Sequence, residues 1–168
     1  VIESGKVTKF GPYEELADSV PATSITHYQD KVIMPGFIDT HIHYVQTEMI
    51  ASYGEQLLEW LNTYTFPTEL QFADPTYADQ ISAFFLNQLL QNGTTTALVF
   101  GSKHKESIDA LFQNALKLNM RLIAGKVMMD RHAPDDLCDA SAEQSYLDAK
   151  ELIERWHNKQ RLLYAITP

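Results

Sequence analysis

Apolar positions along the second half of the chain alternate between two periods. The segment DPTYADQISAFFLNQLLQNG (74–93) sets Ile81, Phe84, Phe85 and Leu89 on one face of a helix. Asp79 or Thr76 fits its start and Gly93 its C-terminal cap. TTTALVFG (94–101) is then a β-branched run suited to a buried strand, and KESIDALFQNALKLN (105–119) is a second amphipathic helix. RLIAGKVMMD (121–130) predicts a third strand. SAEQSYLDAKELIERWH (141–157) predicts a third helix capped by Ser141, and RLLYAIT (161–167) a fourth strand.

The first strand of this series lies in KVIMPGFIDTHIHY. Residues 32–42 are largely apolar and β-branched, the pattern of a strand buried on both faces, and Pro35 and Gly36 delay its start to near Phe37. Strand and helix therefore alternate regularly, which predicts a parallel sheet with right-handed crossovers. Four such units fit an open doubly wound sheet or half of a (β/α)8 barrel. No glycine-rich phosphate fingerprint follows any strand, which removes the main support for a dinucleotide fold.

Two regions break the rhythm. Residues 1–33 read as short strands and turns, with SGKVTKFG as a hairpin signal and EELADSV as a single helical turn. Residues 44–75 form a connection long enough to be a lid or binding element. Within it Leu57, Leu58, Trp60 and Leu61 predict a helical stretch that Pro67 ends. Trp60 and Phe66 would either close over a ligand or form a local core, and Glu55 reads as a solvated side chain.

The 168 residues are 45% apolar, enough for one folded core. A net charge of −9 without a basic stripe argues against nucleic acid as a partner. No apolar run is long enough to cross a bilayer. Cys138 is the one cysteine, so no internal disulfide forms, in keeping with a reducing, cytoplasmic compartment. Both ends read as cut through a longer protein: the chain opens on a strand-like VIESGKVTKFG and closes on RLLYAITP.

Chemistry concentrates in MPGFIDTHIHY. Residues i and i+2 of a strand share a face, so His41 and His43 project side by side as a ready pair of metal ligands. Asp39, on that face, would stand behind them and hydrogen-bond a ligand ring. An isolated H-x-H is more often an exposed pair bonded to water. Here it ends a buried strand and precedes a long loop, which favours metal. Other candidates have plainer readings. His104 sits near a helix start, His132 and Asp130 in a turn, His157 at a surface, His27 in the strand-rich start and Cys138 in a polar loop.

PGFIDTHIH resembles the signature of the amidohydrolase superfamily, metal-dependent hydrolases on a (β/α)8 barrel flanked by a small β-sandwich. HIHYVQ, LLEWLNTYTFPTE, NGTTTALVF, GKVMMDRHAPD and AITP together resemble the guanine deaminase family within it. The resemblance implies a partial sandwich over 1–33 and the first four βα units of the barrel over 34–168, with the lid-like insertion at 44–75. It implies zinc held in part by His41 and His43, with iron or manganese as alternatives, and guanine as substrate, deaminated to xanthine and ammonia. It assigns base recognition to Gln46, whose amide donates and accepts at once, while Val45 replaces the proline or serine common in relatives. Trp60 becomes a candidate substrate contact. The remaining ligands and the shuttle carboxylates would lie beyond Pro168, so residues 1–168 alone would be inactive and bind metal weakly. Lys126 lies in the third strand, and the carbamylated lysine of some relatives in the fourth, so that role is not carried over. A homodimer is implied. The competing readings are another deaminase or chlorohydrolase of the superfamily acting on a related heterocycle, and a non-catalytic scaffold.

Overall fold

The computed structural model describes every residue from Val1 to Pro168 except Glu55, so the expectation for Glu55 lies outside the described residues. The chain divides into two compact units, Val1–Pro35 and Gly36–Pro168.

The first unit holds a two-stranded antiparallel hairpin, β1 (Ile2–Glu3) and β2 (Lys6–Val7). Ser4 and Gly5 form the turn with φ of 50° and 74°, the left-handed pair that matches strand twist. A helical turn α1 (Tyr13–Leu16) follows, as EELADSV predicts, then 3-10 turns at Ala17–Ser19 and Ala22–Ser24. His27 lies tilted against Tyr13, with ring centroids 5.2 Å apart.

The second unit runs β3 (Phe37–His43), α2 (Leu57–Trp60), α3 (Phe66–Leu70), α4 (Pro75–Gln91), β4 (Thr94–Phe100), α5 (Lys105–Lys117), β5 (Arg121–Gly125), α6 (Ala142–Trp156) and β6 (Leu162–Tyr164). The four strands are parallel and ordered β3-β4-β5-β6. The order never reverses, and with crossovers of one hand that puts α4, α5 and α6 on one face of the sheet. A doubly wound sheet needs a switch point; this sheet has none and has the winding of a barrel.

The core lies between the sheet and these helices. Ala97, Val99, Leu122, Ala124, Leu162 and Tyr164 alternate along their strands and are buried against the helices' apolar residues, Phe85, Ile108, Leu111, Phe112 and Leu152 among them. The opposite face carries Leu98, Phe100, Ile123 and Leu163, all half-buried.

Four expectations need correction. β3 is not buried on both faces: among the described residues it pairs with β4 alone, as the edge strand of this sheet, and Phe37 and Ile38 are 54% and 68% exposed. β5 stops at Gly125 rather than running to residue 130; a single bridge, Val127 with Thr167, continues the pairing. A Cβ on Gly125 would lie 1.9 Å from the Ala165 carbonyl oxygen, so only glycine allows this close approach. The cap of α4 is Asp74, whose carboxylate accepts from the Thr76 N–H at 2.8 Å, with Pro75 in the first turn. Pro67 does not end the helical stretch: a π-helical turn, Leu61–Thr65, runs without a break into α3, whose second residue is Pro67. Gly93 does follow α4, with φ of 86°.

The 44–75 connection is mostly helical and fixed at both ends. Tyr44, in the opening 3-10 helix Tyr44–Met49, and Phe72 are fully buried and meet edge to face at 5.1 Å. Its middle is open, with Ile50, Tyr53, Leu57 and Leu58 largely exposed.

Candidate metal centre

β3 ends where His41 and His43 stand, on the sheet face away from the helices. Ile42, between them, pairs with buried Val99, and His43 pairs with Phe100. Strand alternation thus turns both imidazoles to the open face at the strands' C-terminal ends. Their Nε2 atoms lie 3.3 Å apart. Two nitrogens each ~2.0–2.1 Å from one tetrahedral zinc ion stand about 3.3–3.4 Å apart, so the pair fits two corners of such a site. Burial, then the neighbouring His41, pushes the His43 pKa below its ordinary value, which favours the neutral form that ligates. Among the described residues no set of three or more His, Cys, Asp or Glu side chains could hold a metal; β3 offers two candidate donors.

Asp39 does not stand behind an imidazole. Its carboxylate accepts the backbone N–H of His41 at 3.0 Å, locking the strand rather than a ring. The ring neighbour is Phe100, stacked on His43 at 4.7 Å and 9° and tilted against His41 at 5.0 Å.

A cavity of about 590 Å³ opens beside the pair. Its walls bring together His41, His43, Gln46 and Trp60, the four residues selected from the sequence, with Phe84 and Phe85 of α4 behind them. Gln46 reaches it because the chain turns straight from β3 into the 3-10 helix. Trp60 is fixed by its indole N–H donating to the Ser52 carbonyl at 3.1 Å. Phe66 is half-buried and does not line this cavity.

The remaining candidates fall elsewhere. His104 opens α5 as its N-terminal cap residue, as its position suggested. Its Nε2 is buried without a hydrogen-bond partner among the described residues, and burial, then Lys103, lowers its pKa. His132 is exposed, and Asp130 pairs with Arg131 at 3.1 Å. His157 is exposed, and its Nδ1 accepts from the Tyr164 N–H at 3.1 Å. Cys138 is half-buried; its thiol lies 3.5 Å from the Ala133 carbonyl oxygen.

Two buried charges escaped the sequence reading. Lys126 is wholly buried and reaches both Asp139 oxygens at 2.8 and 2.9 Å, pinning the loop after β5. Glu69 of α3 is buried, none of the described residues hydrogen-bonds its carboxylate, and burial pushes its pKa up to about 7. Neither shows in periodicity, since each depends on what the loop or helix packs against.

A parallel sheet wound in barrel order, with an H-x-H pair at the C-terminal end of its first strand, is the arrangement of a metal-dependent hydrolase. The sequence profile of the Amidohydrolase family matches residues 32–168, and the chain belongs to that family. Along its whole length it is 61% identical to a guanine deaminase of Escherichia coli, covering 38% of that protein. It superimposes on the E. coli guanine deaminase structure with a TM-score of 0.95, covering 39% of that chain. A guanine deaminase from C. acetobutylicum, solved with guanine bound in its active site, is 35% identical, with a TM-score of 0.75 over 80% of this chain and 32% of its own. The chain thus spans well under half the length of these relatives.

Proposed function

We propose that the protein carrying this sequence hydrolyses guanine to xanthine and ammonia, and that His41 and His43 contribute two ligands of its zinc site. The observation that carries this is the convergence of both Nε2 atoms to 3.3 Å on a cavity that Gln46 and Trp60 also line. The 61% identity to the E. coli enzyme supports guanine over other heterocycles.

In this reading His41 and His43 bind through Nε2 as neutral imidazoles. Held there, zinc would lower the pKa of a water towards ~7 and so supply the nucleophile at neutral pH. Gln46 orients the base: its amide N–H donates to an acceptor on the purine edge while its carbonyl accepts from a ring or amino N–H. Trp60 covers the base and excludes bulk water. The reaction exchanges the exocyclic amino group of guanine for the oxygen of water and releases ammonia.

The reading extends to residues 1–33 as the start of the flanking sandwich, 44–75 as a lid, a homodimer and a cytoplasmic location. These rest on the family resemblance and, for location, on the single cysteine. Ammonia release by the intact protein from guanine, adenine, cytosine and a chlorotriazine tests the assignment. Turnover of guanine well above the others is expected; a protein that ignores guanine refutes it.

A further inference from the structure

A histidine ring turns about χ2 over a broad two-fold well. Metal-binding histidines are normally held by a hydrogen bond from the second ring nitrogen to a carboxylate or carbonyl. Here no described residue bonds the Nδ1 of His41 or His43; their one ring contact through nitrogen is the Nε2 pair itself. The carboxylate best placed for the task, Asp39, is taken by a backbone N–H.

Phe100 packs against the faces of both rings instead. It is the last residue of β4 and pairs with His43 across the parallel ladder, so strand register delivers it to the same face at the same height. Its ring lies nearly parallel to His43, 9° off with centroids 4.7 Å apart, and meets His41 at 46° and 5.0 Å. One ring thus contacts both imidazoles, whose Nε2 atoms lie 3.3 Å apart. The half-buried strand end restricts Phe100 itself.

Building on the reading of His41 and His43 as metal ligands, we propose that Phe100 is a positioning residue for the metal: an aromatic plate that, by packing on the faces of both imidazoles, holds their planes. A leucine of comparable bulk would fill the space without a flat face, and the rings would regain their freedom about χ2.

The test uses the intact protein with Zn²⁺ and Co²⁺ as probes. Zinc affinity is measured by chelator competition and the ligand field by the visible spectrum of the cobalt form, for the parent, Phe100→Tyr, Phe100→Leu and His43→Ala, with melting curves for each. Outer partners of metal ligands typically contribute about 10–100-fold in affinity. Phe100→Leu is expected to weaken zinc about tenfold and to alter the cobalt bands, whereas Phe100→Tyr, which keeps the ring, retains both. If Phe100→Leu fails to fold, Phe100→Trp is read instead, and parent-like affinity and spectrum are expected. A folded Phe100→Leu protein with parent affinity and spectrum overturns the proposal, as does a ring-retaining variant with lost affinity. Unchanged zinc binding in His43→Ala overturns the ligand reading instead, which separates the two failures.

Discussion

The Tyr44 hydroxyl donates to the backbone carbonyl of Ser107 at 2.6 Å, joining the residue after the histidine pair to the first turn of α5. Tyr44 is fully buried, and burial raises its phenol pKa, so the group stays a donor throughout the working pH range. Tyr44→Phe keeps the ring packed against Phe72 and Phe85 and removes one buried hydrogen bond. The expected cost is about 1 kcal/mol, read as a lower urea midpoint with an unchanged slope. An unchanged midpoint would mean that the bond does not hold the strand end.

The Lys126–Asp139 pair carries a larger penalty when broken on one side. Asp139 is 6% exposed and Lys126 not at all. Lys126→Met strands a buried carboxylate and is expected to cost about 3–5 kcal/mol. Changing both, Lys126→Met with Asp139→Leu, removes the two charges together and should recover most of that loss. Equal destabilisation of the single and double variants in urea melts would show that charge pairing is not the cause.

Glu69 makes stability depend on pH. Its folded pKa, about 7, lies above the ordinary carboxylate value, so the folded protein holds a proton that the unfolded chain has released. Stability therefore falls as pH rises from about 4.5 to about 7 and stays at the lower level above that. Glu69→Gln removes this dependence. Its unfolding free energy should exceed the parent's at pH 8, by about 3 kcal/mol at most, and the gap should close towards pH 5. A constant gap across that range would contradict the assignment.

Much of the sheet was legible because its residues are locally consistent. Thr94–Phe100 is β-branched and apolar, the helical spacing in α4 through α6 is clear, and Ser141 accepts from the Gln144 N–H at 3.1 Å as a cap should. What failed depended on neighbours. An apolar strand at a sheet edge reads the same as a central one, so the exposure of Phe37 and Ile38 was hidden. The strand order that separates a barrel winding from a doubly wound sheet is a tertiary property. The H-x-H pair shows in the two-residue spacing of a strand, whereas Gln46 was singled out by the family resemblance alone; both line one cavity. Phe100 lies 57 positions from His43 and became visible only through strand register.

Gln46 is predicted to act on the substrate alone. Gln46→Ala removes about two neutral hydrogen bonds to the base, which should raise KM for guanine roughly tenfold while zinc content stays at the parent level. Loss of zinc in this variant would place Gln46 in the support of the metal instead.

In the proposed reading residues 1–168 contribute only His41 and His43 to the metal, and among the described residues no larger ligand cluster forms. Produced by themselves, they are expected to bind zinc weakly and to release no ammonia from guanine. Tight stoichiometric zinc in equilibrium dialysis of that polypeptide would contradict this.

The central claim is that one ion sits between the two imidazoles. Anomalous diffraction at the zinc edge, from crystals of the intact and active protein, tests it directly. The account predicts a single peak about 2.0–2.1 Å from the Nε2 atoms of both His41 and His43. An active protein whose crystals show no metal there, or an ion held by other residues, would contradict it.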